Sequence, residues 1–150
     1  MARFATTVRT RIPPADAFAF VANLAHLPQW DAGVSEASQV RGDGPGSDAI
    51  YSVTLSTKRP TTLRYETRAF DGDALSTTLV ANHSWYRSID TISASPSGDG
   101  ADLTYSAELE LLGPLKLADF LMRRVFNRIG KTAEAGLVRE LDGEVISSSA

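Results

Sequence analysis

Residues 3–11 place Phe4, Thr6, Val8 and Thr10 on one side of the chain and Arg3, Ala5, Thr7, Arg9 and Arg11 on the other. This period-two alternation is that of a half-buried strand. Pro13-Pro14 then opens a helix, because proline is tolerated at a first helical position, and Phe18, Val21 and Ala22 give it one apolar face as far as Asn23. A short helical turn, Leu24 to Leu27, is expected to stop at Pro28. Trp30-Asp31-Ala32-Gly33 reads as a corner, and residues 34–40 as the next strand.

From there the pattern is strand, turn, strand. Segments 49–57, 61–70, 74–82, 84–95 and 101–111 are separated by Lys58-Arg59-Pro60, Asp71-Gly72-Asp73, Asn82-His83 and the turn from Pro96 to Gly100. After Leu112-Gly113-Pro114-Leu115 the period changes from two to 3.6 for about 27 residues, ending at Leu141. Leu117, Ala118, Leu121, Met122, Val125, Ile129, Ala133, Gly136, Leu137 and Leu141 recur at three- and four-residue steps. Arg123, Arg124, Asn127, Arg128, Lys131 and Glu134 fill the opposite face.

The order strand, two helices, about six strands, long helix predicts an α+β domain built on an antiparallel meander, with the first strand returning to the sheet edge. One domain is expected over residues 1–146, with 147–150 as a frayed tail. A long helix across a curved sheet encloses more space than ordinary side chains fill, so a cavity for an apolar ligand is expected beneath it. Gly136, in an otherwise good helix, predicts a close approach to the sheet.

Composition narrows the function. With no cysteine in 150 residues there is no disulfide, thiolate metal site or cysteine nucleophile, which suits a reducing, cytoplasmic setting. The longest apolar run, Ala17 to Ala22, has six residues, so neither a secretory signal nor a spanning helix is expected. A net charge of −3 excludes the general basic footprint of a nucleic-acid binder. Residues 114–142 hold six basic and four acidic side chains. The cluster Arg123, Arg124, Arg128 and Lys131 reads as a solvated face, with an anionic lipid surface or acidic partner as the alternatives. Oligomeric state is left open.

Strand parity sorts the candidate chemistry. Tyr105 shares its face with Leu103, Ala107, Leu109 and Leu111; Tyr65 with Leu63; Tyr51 with Val53 and Leu55. Three phenols are therefore directed inward. In 84–95 the parity is ambiguous: Ile92 groups with Asp90, Ser88 and Tyr86, but Ile89 groups with Trp85 and Arg87, and a bulge would reconcile them. An inward Asp90 could take a proton alpha to a carbonyl, with a tyrosine holding the enolate; equally, the tyrosines could pack and orient a ligand. His26 and His83 lack a carboxylate pattern of metal-ligand spacing, and neither metal nor cofactor is called for. His83, in a hairpin, is expected at a rim. The glycine-rich loop 42–47 lacks the lysine and following helix that phosphate cradling needs.

Several segments together resemble the START-like, birch-pollen-allergen-like superfamily called SRPBCC, in its polyketide cyclase/dehydrase-like branch. They are Ile12-Pro-Pro-Ala-Asp-Ala-Phe-Ala-Phe20, Leu27-Pro-Gln-Trp-Asp31, Tyr51-Ser-Val-Thr-Leu55, Asp90-Thr-Ile92, Gly100-Ala-Asp-Leu-Thr-Tyr105 and Leu112-Gly-Pro-Leu115. Ser47-Asp48, which lengthens a turn, and Ala101, in place of a threonine, depart from the pattern. The resemblance implies a helix-grip fold: a curved antiparallel sheet of about seven strands wrapped around a long C-terminal helix, with two short helices after the first strand. It favours Asp90 inward and implies a hydrophobic small-molecule ligand such as a lipid, polyketide or aromatic metabolite, bound or transformed. The expected ligand-facing residues are Trp30, Tyr51, Tyr65, Tyr105, Ala107 and Met122, with Asp90 as the candidate catalytic group.

Overall fold

The computed structural model describes residues 1–149. Strand β1 (Ala2–Thr10) is followed by helix α1 (Pro14–Ala22), a 3-10 turn (Leu24–His26) and the short helix α2 (Leu27–Trp30). Strands β2 (Val34–Arg41), β3 (Ile50–Leu55), β4 (Thr62–Asp71), β5 (Ser76–Asn82), β6 (Tyr86–Ser97) and β7 (Gly100–Leu111) form the meander. A second 3-10 segment (Gly113–Ala118) leads into helix α3 (Asp119–Leu141), and strand β8 (Glu144–Ser149) follows it. The sheet is one curved antiparallel layer in the order β2-β3-β4-β5-β6-β7-β1-β8.

The alternation of β1 is kept: Phe4, Thr6, Val8 and Thr10 are buried while Arg3 and Arg9 are exposed. Its position differs from expectation. β1 lies between β7 and β8, so the sheet edges are β2 and β8 and there are eight strands. The frayed tail is likewise corrected, since Ser147, Ser148 and Ser149 pair with Thr7, Thr6 and Ala5; Ala150 lies outside the described residues. The chain can return because α3 ends in a left-handed residue, Asp142 (φ 48°), and Thr10 Oγ1 donates to the last-turn carbonyl of Leu141 at 2.6 Å. Pro28 does not stop a helical turn. It occupies the first turn of α2, where its missing N–H is not needed.

The concave face of the sheet carries Val8, Tyr51, Val53, Leu63, Tyr65, Leu79, Ile92, Leu103 and Tyr105 in one buried cluster. α1 packs on β6 and β7, α2 on α3 and β2, and α3 on β1. Only the second half of α3 is seated, with Gly130, Ala133, Glu134, Gly136, Leu137 and Leu141 buried. Leu117, Leu121, Val125 and Ile129, expected on the buried stripe, are exposed, and Glu134, expected outside, is buried. The reason lies in where the helix is pinned. Gly136 abuts the backbone carbonyl of Trp30, so the close approach is to α2 and not to the sheet, while Gly130 abuts the Phe4 ring. Before Gly130 the helix stands off, and its inward residues Met122 and Phe126, with Ala118 of the preceding 3-10 segment, meet a smaller cluster of Ala2, Leu109 and Leu111.

Candidate functional site

Between the seated half of α3 and that smaller cluster lies a cavity of about 260 Å³. Its walls are Leu27 and Val34 from the α2–β2 corner, Val53, Leu55 and Leu63 from β3 and β4, Ala107, Leu109 and Leu111 from β7, and Met122, Phe126 and Ile129 from α3. The polar lining is Asp31, Tyr65, Tyr86, Ser88, Asp90 and Tyr105. Small side chains at Ser88 and Ala107, which sit on neighbouring strands opposite a helix that stands off, leave the space unfilled. A wider groove of about 700 Å³ lies at the other end of β1, bordered by Arg9, Arg11, Asp99, Asp142 and Glu144; it is open, and its charged side chains are exposed.

β6 pairs with β5 and β7 in continuous register, so no bulge is needed. Ser88, Asp90 and Ile92 are buried on the inner face and Ile89 lies on the outer one. Across β6 and β7, Asp90 is opposite Ala107 and Ile92 opposite Tyr105. Tyr105 is thus diagonal to Asp90, within reach of a long aromatic side chain. Its hydroxyl donates to Asp90 Oδ2 at 3.1 Å. Ser88 Oγ donates to Oδ1 at 3.2 Å, and Tyr65 donates to Ser88 Oγ at 3.0 Å. The result is a chain, Tyr65 to Ser88 to Asp90, with Tyr105 entering from the far side.

Burial dominates the electrostatics of Asp90. Removal from water pushes its carboxyl from 3.8 up to about 7, against the opposing pull of the bonds from Tyr105 and Ser88, and with a further push from the charge of Asp31. Among the described residues, no lysine, arginine or histidine lines the cavity. Asp31 is raised by burial and lowered by one backbone bond, from the Gly33 N–H to Oδ1 at 2.9 Å. Tyr65 and Tyr105 are raised by burial first and by Asp90 second, so both phenols stay protonated as donors.

Of the residues expected at a ligand, Tyr65, Tyr105, Ala107, Met122 and Asp90 line this one cavity, whereas Trp30 and Tyr51 do not. Trp30 lies behind the wall, its ring edge against Tyr105 at 5.2 Å between centroids and 78° between planes. Tyr51 faces inward as parity requires, but it is fully buried in the core, paired across strands with Tyr65. Burial raises its hydroxyl to about 12, and among the described residues neither that hydroxyl nor Trp30 Nε1 has a hydrogen-bond partner. Parity fixes the face of a strand but not which stretch of that face a helix covers. Asp31 is a cavity residue that sequence reasoning misses. An aspartate two residues before a glycine is an ordinary turn residue; the one signal is its position between Trp30 and Val34, both buried. His26 stacks on Phe20 at 4.8 Å, and His83 on Tyr86, a cavity residue, at 4.8 Å.

A family model described as polyketide cyclase / dehydrase and lipid transport matches residues 1–142. The chain belongs to that family. Membership places it in the SRPBCC superfamily, and its sheet wrapped on a C-terminal helix is the helix-grip architecture of that group. Among solved structures, TTHA0849 from Thermus thermophilus is similar at 17% identity and TM-score 0.64, covering 92% of this chain and 98% of that one. Ara h 8.0201 is similar at 16% identity and TM-score 0.62, covering 91% and 97%. The di-domain ARO/CYC BexL from the BE-7585A biosynthetic pathway gives TM-score 0.68 at 15% identity, covering 91% of this chain and 45% of that one. These likenesses bear on fold alone. Comparison with curated protein sequences gave no match. No helix among the described residues is long and apolar enough to cross a membrane.

Proposed function

We propose that this family member binds a hydrophobic small molecule in the cavity between the sheet and the first half of α3, in the cytoplasm. The carrying observation is an apolar space of about 260 Å³ whose polar groups are gathered at one place, around Asp90. Ligand cavities run from about 300 to 1,000 Å³, so this one suits a single compact molecule, such as an aromatic or short polyketide metabolite, more than a two-chain lipid. Apolar walls supply affinity, and a few fixed polar groups supply orientation.

Native mass spectrometry after exposure to the source cell's small-molecule extract tests the reading. Retention of an apolar compound unchanged supports binding. A folded protein that retains nothing from the extract contradicts it.

A second reading, a cyclase/dehydrase-like enzyme, is favoured by the placement of the Asp90 carboxyl at about 7, near the optimum for a general base at neutral pH. Asp90 would take the proton alpha to a ketone, and a phenol would hold the developing enolate oxygen. Tyr105 and Tyr65 are both engaged, with Asp90 and Ser88 respectively, so one must exchange its partner for the substrate. Under this reading Asp90→Asn abolishes turnover while binding survives, and full turnover in that variant removes Asp90 from the reaction.

A further inference from the structure

Among the described residues lining the cavity, none brings a counter-charge to its two carboxyl groups. Asp90 and Asp31 are 5% and 9% exposed, and both line the same space. Asp90 receives hydrogen bonds only from hydroxyls, those of Ser88 and Tyr105. Asp31 receives one, from the Gly33 N–H to Oδ1, and its second oxygen accepts none from any described residue. Buried ionised carboxylates are costly unless paired, and elsewhere in this chain acids at the surface do find bases, as Asp102 finds Arg9 at 2.9 Å. Among the described residues, none brings a base into the cavity.

We propose that the molecule this cavity selects is a small apolar amine, its ammonium group paired with Asp90 and within the field of Asp31. The inference rests on the cavity being a ligand site, and it adds the charge class of the ligand. An ammonium supplies what the walls lack: a cation with donors for the free oxygen of Asp31 and for Asp90. The rings of Tyr65, Tyr105 and Phe126 border the same space and favour a cation over an anion near their faces. A carboxylate or phosphate ligand would meet two acids and no base, so fatty acids and phosphorylated metabolites are disfavoured. Binding is also linked to protons. The groups around Asp90 are Ser88 and Tyr86 on its own strand, Tyr105 on β7, Tyr65 on β4 and Asp31 at the corner, while α3 brings only apolar side chains. None of them supplies a positive charge, so Asp90 ionises only as the pH rises through its own range, and the amine binds more tightly as it does so.

Three near-isosteric probes test this by calorimetry: 2-naphthylmethylamine, 2-naphthylmethanol and 2-naphthoic acid. The expected order is amine over alcohol by about tenfold or more, with the acid weakest. The amine gains affinity between about pH 6 and pH 8, and the alcohol does not. In Asp90→Asn the amine's advantage over the alcohol disappears while the alcohol still binds, which also shows that the variant is folded. Alcohol equal to amine in the native protein, or acid ahead of both, overturns the amine assignment and leaves the apolar-ligand reading standing. Binding of none of the three overturns the assignment and counts against the cavity reading as well.

Discussion

Tyr105 reaches diagonally across β6 and β7 to donate to Asp90 Oδ2 at 3.1 Å, and this bond is one of two that hold the cavity's central carboxyl in place. Its contribution is measurable as a pKa. The bond favours the ionised form and so opposes burial, which is the larger effect and leaves the carboxyl at about 7. In Tyr105→Phe the Asp90 carboxyl therefore titrates higher than in the native protein. In Tyr65→Phe, which touches Asp90 only through Ser88, it moves much less. Carboxyl-carbon NMR titration of both variants reads the difference; equal shifts would show that the bond from Tyr105 is not the stronger tuning contact.

Asp90 also sets a pH dependence of stability with the opposite sign to that of a salt-bridged acid. The unfolded chain releases this proton near 3.8, whereas the folded protein holds it up to about 7. Between those values the native state binds the extra proton, so Asp90's contribution is intact at low pH and is lost as the pH rises toward 7. A displacement of that size corresponds to at most about 4 kcal/mol. Asp90→Asn is isosteric and cannot ionise. Urea denaturation at pH 4 and pH 8 is expected to show the variant gaining on the native protein by up to about 4 kcal/mol at the higher pH. A constant difference at both pH values would mean that the carboxyl is not buried as described.

Gly136 fixes where α3 is pinned. A Cβ there would collide with the Trp30 carbonyl, which is backbone and cannot rotate away. Alanine is otherwise better in a helix by about 1 kcal/mol, so the sign of the change decides the matter. Gly136→Ala is expected to destabilise by about 3 kcal/mol. Thermal or urea unfolding checks this, and a more stable variant would contradict the close packing of α3 on α2.

The order of elements is legible in the sequence because alternation, glycine turns and the change of period at Leu115 each report local structure, and most strand limits agree within a few residues. Three features are not legible, for physical reasons. β8 carries only Val145 and Ile146 as apolar residues, and its pairing with β1 depends on a turn at Asp142–Gly143 that only tertiary contact reveals. The 3-10 segment and the first half of α3 are apolar on more than one side, through Leu117, Leu121 and Val125 as well as Ala118, Met122 and Phe126. Periodicity therefore cannot say which stripe meets the sheet. In the site, parity identifies Tyr65, Tyr105 and Ala107 as inward, and the resemblance decides for Asp90 where parity is ambiguous. Parity is silent on depth along the sheet, so it does not separate Tyr51, in the core, from Tyr65, at the cavity. Trp30 and Asp31 stand at a corner and have no parity to read.

The most direct test of a ligand-binding cavity is to fill it. Ala107 lines the cavity opposite Asp90, and Ala107→Trp places a large ring in a space of about 260 Å³. Fluorescence titration with the neutral probe N-phenyl-1-naphthylamine, alongside circular dichroism to verify folding, compares native protein and variant. The expected result is saturable uptake by the native protein that is lost in a folded Ala107→Trp variant. Uptake of the same strength in both would contradict the assignment of this cavity as the binding site.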